Sequence, residues 1–327
     1  VRAVQIVDLT GPASALKLVD LPDPEPSHFL TPGSGVVVDV EAAGVSFPEL
    51  LQTRGEYQFK PELPFVPGSE VAGVVRSAPD GASVKAGDRV AAFCMLGGFA
   101  EVAVAPEHFV FPLGSLDAGQ GASLILNYHT AYFCLTTRGR LQAGEKVLIH
   151  GAAGGVGTAG IQVAKGLGAT TFAVVSTEEK AQVARDAGAD EVALTSGPWK
   201  DQAKEWSGGG VDVVLDPVGG DRFTDSLRSL GEDGRLVVVG FTGGSIPEVK
   251  VNRLLLNNTS VVGAGWGAYV MAKPDVTREI GAALQPMIDA GVVAPIVGER
   301  FPLDRAGEAL AAIDERRATG KVVLDVS

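Results

Sequence analysis

The sequence predicts an α/β protein: a doubly wound parallel sheet of Rossmann type beside a smaller β-rich part. Three observations carry this. The run Lys146-Val147-Leu148-Ile149-His150 leads into Gly151-Ala152-Ala153-Gly154-Gly155-Val156-Gly157 and then a helical pattern to Gly168, which reads as strand, glycine-rich turn and helix. After about residue 120 strand and helix patterns alternate, as a parallel sheet covered on both faces requires. Before that point short strand candidates are separated by Pro, Gly, Asp and Ser. A length of 327 residues suits about two domains.

The elements follow in order. Val36–Val40, Val71–Val75, Arg89–Phe93 and Phe99–Val104 are short strands, and Pro22-Asp23-Pro24-Glu25-Pro26 is an extended surface loop. Past the glycine turn come Thr171–Val175 and then Ser176-Thr177-Glu178-Glu179, which reads as a capping box opening a helix that Gly188 closes. Further strands are Glu191–Leu194, Val211–Leu215, Arg235–Val239 and Ser260–Gly263. Helices are expected over Thr277–Ala290 and Ala306–Arg317, with a closing strand Lys321–Val326. These last residues are too few for a third domain and should pack back on the first.

The glycine turn points to a dinucleotide. Ala152-x-Gly154-x-x-Gly157 is GxGxxG with alanine in the first place. The first residue makes the tight turn, Gly154 lets the backbone approach a pyrophosphate, and Gly157 lets helix and strand pack closely. The helix N-terminus offers its unpaired N–H groups to the anion. An NAD site usually ends its second strand with an acid for the ribose 2′-OH. Here the strand ends Val174-Val175-Ser176-Thr177, and Lys180 lies about one helical turn on. That pattern favours NADPH, with NADH the less favoured cofactor. Glu178 and Glu179 argue the other way unless they point outward.

Other chemistries find little support. His28, His108, His129 and His150 form no spaced ligand pair, and a five-residue separation sets His129 and Cys134 on different faces of a helix. The reading is metal-free. There is no Gly-x-Ser-x-Gly elbow, and the acids look scattered, with no recognisable acid/base pair. A net charge of −12 opposes nucleic-acid or anionic-membrane binding. No apolar run reaches about 18 residues, the N-terminal Val1–Val7 reads as a strand rather than a secretory leader, and two distant cysteines suit a cytoplasmic location.

The chain resembles the medium-chain dehydrogenase/reductase superfamily, in its zinc-free quinone oxidoreductase branch. The resemblance spans essentially the whole length. It rests on Ala43-Gly44-Val45-Ser46-Phe47-Pro48-Glu49-Leu50-Leu51, Pro64-Phe65-Val66-Pro67-Gly68-Ser69-Glu70-Val71-Ala72-Gly73, Gly87-Asp88-Arg89-Val90, the glycine turn, and Asp216-Pro217-Val218-Gly219-Gly220. Zinc-dependent cousins carry a Cys ligand just after the Ala-Gly-Val segment and a His in Gly-His-Glu. This chain has Ser46-Phe47 and Ser69 there.

The resemblance implies a GroES-like barrel domain, residues 1–122, completed by residues 268–327, with a Rossmann domain at 123–267 and the active site in the cleft between them. It implies Ser46 and Tyr57 at the acceptor, Thr130 and Phe241 at the nicotinamide, and Ala152, Gly154, Gly155, Val156 and Gly157 around the pyrophosphate. Ser176, Lys180 and Arg317 would meet the 2′-phosphate. Where the family commonly has Asn, this chain has Ser46, which offers one hydroxyl in place of an amide. The expected activity is NADPH-dependent, metal-free hydride transfer to a quinone. Alternatives are an enone or enoyl-thioester reductase, which shares the geometry, and a non-catalytic NADPH- or RNA-binding protein. A homodimer through Ser260–Ala264 is also implied.

Overall fold

Short β-branched runs bounded by turn residues form the strands of the N-terminal half, as their side chains favour a pleated, half-buried surface. In the computed structural model, which describes residues 1–327, these are β1 (Arg2–Ile6), β2 (Leu16–Asp20), β3 (Val36–Val45), β4 (Glu70–Ser77), β5 (Arg89–Phe93), β6 (Val102–Ala105) and β7 (Val110–Pro112). β1 pairs antiparallel with β2. β3 to β5 and β7 build a sheet in which β4 lies between β3 and β5, while β6 pairs with β3 off the main path. Val36, Val38, Val40, Val71, Val90 and Phe99 form its core, each worth roughly 1.5–3 kcal/mol when fully buried.

The second half is a six-stranded sheet of β8 (Lys146–His150), β9 (Thr170–Val175), β10 (Glu191–Leu194), β11 (Val211–Asp216), β12 (Leu230–Val238) and β13 (Ser260–Gly263). All its pairs are parallel, and the order is β10-β9-β8-β11-β12-β13. The direction of winding reverses at β8. Ligands of such sheets bind outside the carboxyl ends of the strands at that reversal. β12 begins at Leu230, ahead of the expected Arg235, and its pairing with β11 shifts register between Val211 and Val213.

Two strands of the C-terminal segment, β14 (Val297–Pro302) and β15 (Lys321–Asp325), rejoin the first sheet. β15 pairs antiparallel with β3, setting Val322 opposite Val45 and Val323 opposite Gly44. The chain thus forms two units, Val1–Leu126 with Pro295–Ser327, and Asn127–Ala294. The sequence boundaries at 122/123 and 267/268 differ most at the second crossing. Residues 268–294 group with the parallel sheet, and Met287 of the helix Asp275–Asp289 lies against Gly166 of the helix Gly155–Gly166, leaving no room for a side chain there. Gln162 of that helix also bonds both the amide and the carbonyl of Ala294.

Three local expectations are corrected. Thr177, not Ser176, caps the helix Glu178–Asp186: its hydroxyl accepts from Lys180 N, so Glu179 completes no capping box. The helix from Ala306 stops at Asp314, ahead of Arg316, which takes a positive φ of 56°. Residues 125–138 run as a π turn (Ile125–His129), an α turn (Thr130–Phe133) and a second π turn (Cys134–Arg138). Between His129 and Cys134 the spacing is α-helical, with Cys134 N bonding Thr130 O, so the five-residue separation still sets the two apart. Both are buried.

Histidines 28, 129 and 150 are all buried. Burial lowers the affinity of each for a proton, to about 4 for His150 and about 3 for His129. Between about pH 6.5 and 4 the unfolded chain takes up protons that the folded chain refuses, so stability falls as pH falls. Urea unfolding from about pH 7 to 5 should show a loss of up to ~1.4 kcal/mol per pH unit for each such histidine. A flat profile would contradict the neutral, buried state of these rings.

Candidate active site

β8 ends at His150, and the chain turns at once. Gly151 has φ +57°, and its carbonyl accepts from Gly154 N at 2.9 Å. The left-handed residue of the turn is therefore Gly151 rather than Ala152. Ala152 is fully buried with an ordinary φ, which is why a methyl group is tolerated where the motif has its first glycine. A Cβ on Gly157 would lie 2.2 Å from Gly151 O and 2.6 Å from Ala152 Cα, so helix and turn touch through bare backbone there. A Cβ on Gly154 would meet only Gly151 O, at 3.4 Å. Gly154 is the N-cap of the helix Gly155–Gly166, so its open Cα lies at the end of the helix whose first N–H groups have no intrahelical partner. Gly155 is closed by the Asn127 amide, 2.5 Å from where its Cβ would be. Val156 follows in the first turn.

The neighbouring strand ends complete this face of the parallel unit. Ser176 is exposed directly after β9, with Lys180 half-buried behind it. Glu178 pairs with Arg185 at 2.8 Å, so one of the two acids set against a phosphate is already engaged. After β11, buried Asp216 accepts from Val218 N and Gly219 N, both at 2.9 Å, and shapes the turn. The loop after β12 is tied to it by Thr242 and Gly243. Phe241 in that loop stacks close over Gly219, whose Cβ would lie 2.9 Å from the ring. Thr130 is buried at the start of the α turn within residues 125–138. Trp266 is buried edge-on to His129, with ring centroids 6.0 Å apart. Arg317 belongs to the other unit, where Glu299 (3.0 Å) and Glu315 (2.7 Å) hold its guanidinium.

The barrel unit builds a second constellation. Ser46 caps the helix Phe47–Gln52, and its N–H donates to Glu49 Oε2 at 2.9 Å. Glu49 Oε1 accepts from Ser69 N at 2.9 Å and from the Ser69 hydroxyl. Lys321 Nζ, from the first residue of β15, donates to Ser46 Oγ at 2.5 Å and Glu70 Oε1 at 2.6 Å. Glu70 Oε2 accepts from Leu126 N at 2.9 Å. Glu49 and Glu70 are 0 % exposed, Lys321 3 %, Ser69 7 % and Ser46 9 %. Gly44 makes the room: a Cβ there would lie 2.8 Å from Lys321 Cε and 2.9 Å from Glu70 Cγ. Burial pushes the Glu49 carboxyl above its usual range, against the Ser69 hydrogen bond and the Lys321 charge, which lower it. Burial, then the Glu49 charge, raises the phenol of half-buried Tyr57.

The acids that look scattered in the sequence therefore converge. Lys321, Glu49 and Glu70 escape a reading by motif spacing because β15 meets β3 only in the fold. A signal was present: Lys321 heads the apolar run Val322-Val323-Leu324, and a charge there demands a buried partner. The cysteines supply no nucleophile, since both thiols are free but buried and raised, Cys134 to about 12. No group of three or more His, Cys, Asp or Glu converges as a metal cluster.

Comparison with known proteins agrees with both units. The family model "Alcohol dehydrogenase GroES-like domain" matches residues 32–115, and "Zinc-binding dehydrogenase" matches residues 155–282. The chain is 39 % identical over 297 residues to quinone oxidoreductase-like protein 2 of Bos taurus, covering 89 % of this chain and 85 % of that one. It is 34 % identical over 329 residues to the quinone oxidoreductase of Homo sapiens, covering 99 % and 97 %. The quinone oxidoreductase of Thermus thermophilus, solved alone and with NADPH, superposes with a TM-score of 0.83 at 34 % identity over the whole of both chains. Identity at this level over nearly full length, on a GroES-like unit and a Rossmann unit, shows that the chain is an oxidoreductase of the medium-chain dehydrogenase/reductase superfamily and belongs to its quinone oxidoreductase branch.

Proposed function

We propose that this oxidoreductase reduces a quinone with NADPH, without a catalytic metal. The observation that carries the reading is the open backbone at Gly154, at a helix N-terminus, in a parallel unit whose second strand ends in Ser176 rather than an acid. NADPH, when bound, supplies the hydride from nicotinamide C4. Gly154, Gly155 and Val156 hold its pyrophosphate through N–H groups, on the turn that Ala152 and Gly157 shape. Ser176 and Lys180 hold the 2′-phosphate, with Glu178 drawn off by Arg185. Thr130 and Phe241 flank the nicotinamide. Arg317, held in part by Glu299 and Glu315, is the further cation proposed for the 2′-phosphate. The NADPH-complexed Thermus relative supports this cofactor.

In this reading Ser46 and Tyr57 position and hydrogen-bond the acceptor oxygen. Serine at 46 and 69 leaves oxygen ligands that suit a catalytic zinc poorly. A quinone needs no Lewis acid, since its reduced oxyanion is stabilised by conjugation, and rate comes mainly from juxtaposition. The working form is a homodimer. β13 is the edge of the parallel sheet, and Ile246, Val251, Leu255 and Leu256 are exposed in the same unit. Two free, buried cysteines suit a reducing cytoplasm, and no helix is long and apolar enough to cross a membrane.

Near-UV absorbance of NADPH tests the function, with ortho- and para-quinones, enones and an enoyl thioester as acceptors and NADH in parallel. Quinone-dependent oxidation with NADPH preferred is expected, and Ser46→Ala and Tyr57→Phe should each lower kcat/KM about 3- to 30-fold. Turnover of enones or thioesters alone would move the protein to enoyl reduction. NADPH binding without turnover of any acceptor would leave a non-catalytic binder. Gly154→Ala should change stability by less than ~1 kcal/mol yet weaken NADPH binding about tenfold or more. Gly157→Ala should cost about 2–4 kcal/mol in urea unfolding, because backbone must move. Light scattering showing a monomer at micromolar concentration would remove the dimer.

A further inference from the structure

We propose that Lys321 supplies the proton of the reaction through Ser46: the ammonium hands a proton to the serine as the serine hands its own to the acceptor oxygen. The inference rests on the quinone reductase reading above. Ser46 touches the acceptor in that reading, and Lys321 acts through it as a positioning residue and proton source.

Hydrogen-bond accounting carries the argument. The Lys321 ammonium has three protons to donate and no lone pair. One goes to Glu70 Oε1 and one to Ser46 Oγ. Ser46 Oγ accepts there, so its own hydrogen must point elsewhere. The neighbouring carboxylate, Glu49, accepts from Ser46 N, Ser69 N and the Ser69 hydroxyl, and Ser46 Oγ donates nothing to it. Glu70 Oε2 is taken by Leu126 N. Ser46 Oγ donates to neither Glu49 nor Glu70, so its hydrogen is free for an acceptor oxygen, and Ser46 is the least buried member of the cluster. Gly44 keeps the lysine stem in one channel, since any side chain there would strike Lys321 Cε and Glu70 Cγ. The groups facing the ammonium are therefore Glu70 from β4 and Ser46 from the end of β3, with Glu49, Ser69 and Tyr57 at one remove.

The step balances. Hydride addition brings two electrons and one hydrogen to the quinone and leaves an oxyanion. The Ser46 O–H bond breaks toward that oxygen while an N–H bond of Lys321 breaks toward Ser46 Oγ. The products are hydroquinone, neutral lysine and an unchanged serine. Neutral lysine leaves the Glu70 carboxylate buried without a counterion, which favours return of a proton from water along the same serine once product departs. One solvent proton is consumed per hydride. Asparagine, common at this position in the family, could donate a hydrogen bond but not relay a proton.

The test compares kcat against pH for the wild type, Ser46→Ala, Ser46→Asn, Lys321→Arg and the paired Lys321→Met/Glu70→Gln, which removes both buried charges together. Thermal melting checks that each folds. Wild-type kcat should stay flat between about pH 6 and 8. The paired variant should lose about tenfold or more in kcat with the KM for NADPH unchanged, and its rate should fall as pH rises. Adding Ser46→Ala to it should cost nothing further. Lys321→Arg keeps the charge but does not release a proton, so it should stay slow. Binding of p-nitrophenol without turnover, followed by phenolate absorbance, should weaken alike in Ser46→Ala and the paired variant. Wild-type kcat in the paired variant, full rescue by arginine, or losses that multiply would overturn the relay and leave the reductase reading standing. A wild-type protein that reduces no acceptor would overturn both.

Discussion

A single ion pair organises the barrel unit: the ammonium of Lys321 against the carboxylate of Glu70, 2.6 Å apart and almost wholly buried. Removing two charges from water costs several kcal/mol each, and their attraction repays this only with good geometry and further hydrogen bonds. Both are present here. Leu126 N takes the second carboxylate oxygen, and Ser46 takes a second ammonium proton. The pair requires Gly44, which in turn lies opposite Val323 in the β3–β15 register. A one-residue slip of β15 would put its lysine on the other face of the sheet and strand Glu70, at about 3–5 kcal/mol. The last strand is thus locked to the third by charge as well as by backbone.

A well-packed hydrophobic pair would serve stability as well or better. The retention of a lysine and two glutamates therefore needs a reason outside stability. The cluster's outlet supplies one. All five members are buried, the charged ones most completely and the two hydroxyls, Ser46 and Ser69, least. In the proposed relay the charge stays inside and only the Ser46 hydroxyl meets the acceptor. That arrangement suits acid chemistry at an acceptor better than it suits packing.

Local features are readable in the sequence and convergent ones are not. The glycine turn, the alternation of β8 to β13 with helices, and the missing acid at Ser176 all depend on neighbours within a few residues, where spacing is informative. The barrel cluster joins residues 46, 49, 69, 70 and 321, and its key hydrogen bond spans 275 positions. No periodicity reports such a contact. The π turns of residues 125–138 have no composition of their own and read as ordinary helix. At Thr177 the competing signals are adjacent, two hydroxyl residues before two glutamates, and only the Lys180 amide decides between them. The turn glycine is displaced by one for a similar reason. The motif counts small residues, whereas the backbone asks where φ is positive, at Gly151.

The same contrast bears on substrate. A chain with a net charge of −12 repels phosphates at long range, so in the proposed reading binding a dinucleotide depends on fixed local dipoles: the N–H groups of the helix Gly155–Gly166, with Lys180 one turn past Ser176. The acceptor end faces the opposite problem, of placing positive charge near an oxygen that becomes an anion. Zinc-dependent cousins place a metal directly on that oxygen. In this chain Ser46 and Ser69 stand at the two ligand positions, and the cation nearest them is an ammonium one hydrogen bond further away. A relayed proton stabilises an oxyanion less than a bound dication does. It is sufficient where conjugation already spreads the charge, as in a quinone or an enone, and insufficient for the localised alkoxide of a simple alcohol. In the proposed relay the buried charge reaches the acceptor only through one serine, and the substrate class follows from that.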